Sequence, residues 1–289
     1  MNPYHPFVAA QARLAKRAQS APLGGFAASP SPGPRAGAPK ALFFAPHPDD
    51  ESIGGGLALR LRREVRWNVI NVAITLGSRV ERRVERLKEL RGACRYLGFA
   101  LVLPKPGGFE QVSVETRKAR PKAWQTMVER VADLLAEHEP KAVFCPHRAD
   151  WHPTHIGVHY LVMDALRRRP ELDCLVIDTE FWGQMSVPNL LSESSEKDVA
   201  ELVAATSFHV GEVRRNPYHL RLPAWMQDNV RRGMELVGGP GSAAPDFTFA
   251  QLYRVSRWEA GRLKPAFCKG RFLSATANPL KVFEPGNRG

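Results

Sequence analysis

The chain has 289 residues, of which 44% are hydrophobic and 24% charged, and a formal net charge of +12. That length buries one substantial core, and the composition is that of a folded protein, which excludes overall disorder. No run approaches the roughly 20 apolar residues of a membrane span, and Phe7-Val8-Ala9-Ala10 is too short for a signal-peptide core, so the cytoplasm is the default expectation.

Residues 1–39 read as a basic arm and linker. A short helix is expected near residues 7–19, followed by a Pro/Gly/Ala/Ser-rich stretch that includes Ala28-Ser29-Pro30-Ser31-Pro32-Gly33-Pro34. A regular alternation begins at Lys40. Residues 41–46 form a wholly apolar run, as in a strand buried on both faces. A Gly54-Gly55-Gly56 turn leads to a helix near 57–64, and a second strand covers 69–75. A helix over 81–97 stops at Gly98, a C-cap residue. Strand 100–103, helix 122–138, strand 142–146, helix 155–168 and strand 174–181 follow. Beyond Trp182 the pattern loosens, with helices expected at 196–208 and 223–237 and a late strand at 249–258. Strand–helix alternation of this kind predicts an α/β fold: a Rossmann-like, doubly wound, mostly parallel sheet with helices on both faces. The main domain is expected over residues 40–260, with 261–289 as a C-terminal tail.

Cys94, Cys145, Cys174 and Cys268 are far apart and form no C-x-x-C pair, so reduced, mostly buried thiols are expected. The positive charge is partly local: residues 1–40 contain no Asp or Glu. Arg60-Leu61-Arg62-Arg63, Arg82-Arg83, Arg167-Arg168-Arg169 and Arg231-Arg232 fall mainly on predicted helices, where solvated faces account for them. No nucleic-acid-binding motif accompanies the charge, so a specific nucleic-acid partner is not expected.

Two His/Asp-rich segments lie immediately after the first and fourth strands: His47-Pro48-Asp49-Asp50-Glu51 and His147-Arg148-Ala149-Asp150-Trp151-His152-Pro153-Thr154-His155. Ligands of open parallel sheets bind at the carboxyl ends of the strands, so both segments converge on one crevice if those strands are neighbours. A lone His at a strand end is ordinarily structural, which is the reading for His138, His159, His209 and His219. An N-capping Asp would explain one carboxylate after the first strand, but not two adjacent ones beside a His. His47, Asp50 and His155 would supply a His₂Asp set for a catalytic zinc with an open position. Asp49 would then be the general base, and His152 the oxyanion partner or the acid that protonates the leaving amine.

Ala45-Pro46-His47-Pro48-Asp49-Asp50-Glu51 resembles the first motif of the PIG-L/LmbE-like zinc deacetylases, a superfamily that includes N-acetylglucosaminyl-phosphatidylinositol deacetylase. Asp150-Trp151-His152-Pro153-Thr154-His155 resembles its second motif, D-x-H-P-D-H, and Arg86-x-x-Glu89 its helix after the second strand. The resemblance runs from about Lys40 to Trp258. It implies one Zn²⁺ per chain, or another divalent transition metal, on His47, Asp50 and His155, with Asp49 as base and His152 as acid. It further implies removal of an acetyl group from an N-acetylated, GlcNAc-type sugar conjugate. Arg86 either contacts substrate, as in some relatives, or pairs with Glu85 or Glu89. Trp182 either stacks on a pyranose or packs in the core, and Asn189 lies where relatives place loops around the sugar. Thr154 replaces the family's Asp beside the second His. That Asp orients the neighbouring His from behind, so Thr154 leaves Asp150 to compensate for His152. Alternatives are hydrolysis of a different amide on this fold, or a catalytically silent sugar-binding module that retains the metal.

Overall fold

Strand β1 (Lys40–Ala45) lies in the middle of the parallel part of the sheet, and its composition explains why. Ala41 to Ala45 are fully buried, as both faces of a parallel strand must be when each is covered by helices. β2 (Asn68–Ala73) and β4 (Ala142–Pro146) flank it in parallel. β3 (Ala100–Val102) pairs with β2, and β5 (Cys174–Thr179) with β4. The order β3-β2-β1-β4-β5 is the doubly wound arrangement expected, and the fold is mixed α/β. The structure is a computed structural model that describes residues 2–28 and 31–284. Ser29 and Pro30 of the expected linker, Met1, and residues 285–289 of the expected tail lie outside the described residues.

Period-two alternation along β1 divides the core. Ala41, Phe43 and Ala45 face one layer, built from α3 (Gly56–Arg63), α4 (Arg83–Leu97) and α8 (Glu196–Ser207). Leu42 and Phe44 face the opposite layer, built from α6 (Pro121–His138) and α7 (Pro153–Arg167). The remaining helices are short or peripheral: α1 (His5–Ala18), α2 (Asp50–Ile53), α5 (Val114–Ala119), α9 (Val210–Val213) and the longer α10 (Leu222–Gly238). Gly98 closes α4 with φ 77°, the left-handed cap that its sequence position predicts.

The last third extends the sheet with antiparallel strands. β7 (Ala250–Glu259), the expected late strand, runs antiparallel to β5 and to β6 (Leu190–Glu193). β8 (Arg262–Pro265) pairs with β7, and β9 (Arg271–Leu273) runs parallel to β6. Residues expected as a tail therefore add two strands. β6, β8 and β9 are three or four residues each, too short for hydrophobic period to reveal.

Two arginines of the 60–63 cluster are structural and not a solvated face. Arg60 is fully buried; its guanidinium donates to Glu64 at 2.7 Å and to the carbonyls of Glu193 and Ala277 at 3.2 and 2.6 Å. Arg62 donates to the carbonyls of Gly98 and Pro32, both at 2.8 Å. Cys94, Cys145 and Cys174 are buried and Cys268 is exposed, all as free thiols.

Asp164 on α7 ties its layer together, accepting from Arg117 of α5 at 2.7 and 2.9 Å and from the Trp124 indole of α6 at 2.9 Å. Burial alone would raise its pKa, but the hydrogen bonds from Arg117 and Trp124 and the neighbouring positive charge hold it below the usual carboxylate range. A carboxylate whose folded pKa is depressed stabilises above its unfolded value and loses that contribution as pH falls through the folded one. Asp164→Asn is therefore expected to cost about 1–2 kcal/mol at neutral pH. The wild-type advantage in urea unfolding should shrink as pH falls below the usual carboxylate range, through the lowered folded-state pKa.

Candidate metal centre

Because β1 and β4 are hydrogen-bonded neighbours (Leu42 opposite Val143, Phe43 opposite Phe144), the segments that leave their carboxyl ends meet. His47 Nδ1 lies 3.2 Å from His155 Nε2. Asp50 Oδ2 lies 3.4 Å from each of those nitrogens. Three donors at the corners of a near-equilateral triangle match the geometry of a tetrahedral zinc, in which ligands about 2.0–2.1 Å from the ion stand roughly 3.3–3.4 Å apart. Asp50 Oδ2 also accepts the His47 backbone N–H at 2.8 Å, which fixes the carboxylate. Burial pushes His47 down to about 4, against the pull of Asp49, and pushes His155 further down, with His47 and His152 adding to it. Both imidazoles are therefore neutral, the form that binds a metal.

His152 brings a third imidazole to the group, with ring nitrogens of His47, His152 and His155 lying within 4.8 Å of one another. This set is looser than the triangle that includes Asp50. His152 also N-caps α7: its Nδ1 accepts the Thr154 backbone N–H at 3.2 Å. With Nδ1 an acceptor, the neutral ring carries its proton on Nε2. Thr154 thus acts on His152 through its backbone amide, which any residue at that position would supply. Asp150 makes no hydrogen bond to the His152 ring among the described residues, but its charge raises the His152 pKa against burial and the neighbouring His47, which together lower it. Its Oδ1 accepts the His152 backbone N–H at 2.8 Å and faces His155 Nδ1 at 3.6 Å. Its Oδ2 accepts the amides of Trp182 and Gly183 at 3.2 and 3.4 Å. Asp150 therefore stands behind His155, whose buried Nδ1 has no hydrogen-bond partner among the described residues.

The two adjacent aspartates differ in their backbones. Asp50 opens α2, whereas Asp49 has φ 118° and ψ −27°, a conformation costly for a residue with a Cβ. Its surroundings hold it there: Glu51 Oε2 accepts its N–H at 3.0 Å and Ser52 Oγ donates to its carbonyl at 2.8 Å. The Tyr218 hydroxyl donates a very short hydrogen bond to the Asp49 carboxylate. Burial, with the Asp50 charge adding to it, pushes Asp49 up to about 7.

Glu51 and His209 support this arrangement from below. Both are buried, His209 Nε2 bonds Glu51 Oε1 at 2.8 Å, and Glu51, outweighing burial, raises the His209 pKa. Tyr218 and His209 were not legible as site residues: each stands alone in the loosely patterned last third, with no neighbouring motif.

A cavity of about 860 Å³ opens over the triangle, and Arg86, Trp151, His152, Thr154, Trp182 and Glu212 are among its lining residues. Arg86 pairs with neither Glu85 nor Glu89. It donates to the Pro48 carbonyl at 3.1 Å and stands 3.9 Å from Glu212. Trp182 is 52% exposed, so it is no core residue. Asn189 does not reach the cavity: its side chain bridges to the backbone of Val255, at 2.6 and 2.8 Å.

Residues 42–166 match the family model described as PIG-L, GlcNAc-PI de-N-acetylase. The match covers both His/Asp segments and ends within α7. No curated protein matches the chain. Among solved structures, a triple-mutant deacetylase of the teicoplanin biosynthetic pathway is 15% identical, with a TM-score of 0.55 over 75% of this chain and 98% of that one. The N,N'-diacetylchitobiose deacetylase of Pyrococcus horikoshii is 16% identical, with a TM-score of 0.52 over 86% and 92%. The 4-carboxy-2-hydroxymuconate hydratase GalB of Pseudomonas putida is 17% identical, with a TM-score of 0.52 over 75% and 95%. At these identities the likeness is one of fold, shared by hydrolases and a hydratase alike.

The segment that carries Phe181, Trp182 and Gly183 toward the site is anchored by Glu180. This buried carboxylate pairs with Arg232 of α10 at 2.6 and 3.0 Å and accepts the Met185 amide. Removing one partner of a buried pair strands the other. Glu180→Ala is expected to destabilise the protein by about 3–5 kcal/mol in chemical unfolding.

Proposed function

We propose that the protein is a zinc-dependent hydrolase that removes an acetyl group from an N-acetylated, GlcNAc-type sugar. The observation that carries this reading is the triangle of His47, Asp50 and His155, with edges of 3.2 to 3.4 Å, beside a half-buried Asp49 whose pKa is pushed up to about 7. The donor set fits the ion: two neutral imidazoles and one carboxylate, closely spaced, with Asp150 behind one imidazole. When bound, zinc supplies Lewis acidity, which acidifies a coordinated water and polarises the amide carbonyl.

The remaining work falls to side chains. Asp49 takes the proton of the attacking water, and Tyr218 holds its carboxylate toward the cavity. The His152 ring donates a hydrogen bond from Nε2 to the oxygen that gains charge, and the proton that Asp49 took from water passes to the departing nitrogen. Trp182, exposed at the rim, offers a face on which a pyranose stacks. The de-N-acetylase description of the matched family and the two deacetylases with the same fold support this reaction over hydrolysis of an unrelated amide.

Acetate release from a panel of N-acetylglucosamine conjugates, measured together with metal content, tests the reading. Asp49→Ala is expected to lower turnover by about a hundred- to ten-thousand-fold while the protein keeps its zinc. Turnover at the wild-type rate would remove Asp49 from the mechanism. Asp50→Ala and His155→Ala are expected to lose zinc and activity together, and chelation of the wild type should abolish acetate release until zinc is restored. Zinc bound with no hydrolysis across a broad panel would favour a silent sugar-binding module.

A further inference from the structure

The cavity above the triangle has an asymmetric wall. Arg79, Arg82, Arg83, Arg86 and Arg215 line it, against Glu110 and Glu212. Arg83 pairs with Glu110 at 2.5 Å. Glu212 is shared by three guanidinium groups, with Arg215 at 2.5 Å, Arg82 at 2.8 Å and Arg86 at 3.9 Å. Arg79 makes no side-chain hydrogen bond or ion pair among the described residues. The wall thus holds about three positive charges more than its own carboxylates neutralise.

A solvated helix face would not explain this. The side chains of Arg82, Arg83 and Arg86 are only 30%, 17% and 13% exposed, and Arg86 Nε is buried without a hydrogen-bond partner. Like charges gathered in a concave, partly dehydrated site repel one another and destabilise the fold. The cluster also stands at the N-terminal end of α4, where the helix dipole adds positive potential.

We propose that this wall is a phosphate-recognition subsite, and that the sugar hydrolysed at the metal centre carries a phosphate ester. The inference rests on the proposed function for the identity of the sugar, and on the wall alone for the phosphate. The guanidinium groups come from two places in the fold: residues 79–86, which lead into the first turn of α4, and Arg215, two residues beyond α9. They reach the cavity from separate segments of the chain. A tetrahedral phosphate accepts from several directions at once, whereas a carboxylate offers two oxygens in a single plane. Glu212 then holds the arginines in place while substrate is absent, and an arriving phosphate competes with it for the same donors.

Calorimetric titration of the full-length, zinc-supplied protein tests this with sugars that lack an acetamide and cannot be turned over. Glucose 1-phosphate or glucose 6-phosphate is expected to bind at least about tenfold more tightly than methyl glucoside, and to weaken as salt is raised. The Arg79→Ala/Arg215→Ala variant, with both side chains at the rim, is expected to lose most of that preference. Direct capture of phosphate by zinc would leave the preference unchanged in this variant, and that result would overturn the proposal. Equal affinity for the phosphorylated and neutral sugars would also overturn it. Glucuronate binding as tightly as the phosphates would overturn the phosphate assignment. Acetate release from neutral N-acetylglucosamine conjugates is scored on the same preparations. Hydrolysis without phosphate preference would remove this inference and leave the proposed function standing. Phosphate preference without hydrolysis would do the reverse.

Discussion

The parallel pairing of β1 with β4 is the constraint on which the rest of the site depends. His47 and His155 are 108 positions apart in the chain, and neither has a local reason to find the other. The register that sets Phe43 opposite Phe144 ends both strands at the same level, so the segments that follow emerge side by side. Stacked Phe43 and Phe144 rings, 5.6 Å apart, lock that level from within the core. A one-residue slip would turn each strand's buried set to the opposite helical layer and separate the donors.

Within the first segment, geometry divides labour between two identical side chains. Asp50 follows helical dihedrals and folds its carboxylate back onto the His47 amide, whereas the left-handed backbone of Asp49 directs its carboxylate to Tyr218. Glu51 joins the two through its carboxylate, which accepts the Asp49 N–H on one oxygen and His209 on the other. The third acidic residue of the run is thus neither ligand nor base. It holds a strained turn, and its own charge is met by an imidazole brought from beyond α8.

Much of this was legible in the chain because the informative residues are consecutive. The apolar run 41–46, the Gly98 stop, and the two His/Asp segments each announce an element or a junction locally. The doubly wound order then follows from alternation, and the convergence of His47 and His155 from that order. What escaped was set by long-range contacts or by single residues. Tyr218 and His209 reach the site from sequence that has no pattern of its own. Arg60 looks like a surface arginine until its backbone and side-chain acceptors are seen together. The backbone role of Thr154 was hidden for a simpler reason: an N-cap interaction involves the amide, and the amide is the same for Thr as for Asp.

The turn between α2 and α3 is braced from far downstream. Gln251 Oε1 accepts the Gly56 amide at 2.7 Å, the Tyr253 hydroxyl accepts the Leu57 amide at 3.0 Å, and Gln251 donates to the Ile53 carbonyl at 2.6 Å. These partners are separated by 195 to 198 positions. During synthesis, which presents the N-terminal part first, both halves of the metal site leave the ribosome well before β7 exists. The turn that carries Asp50 is then unbraced, and it becomes rigid only when β7 docks between β5 and β6. Vectorial folding therefore makes the first functional motif of this chain one of the last to reach its final form.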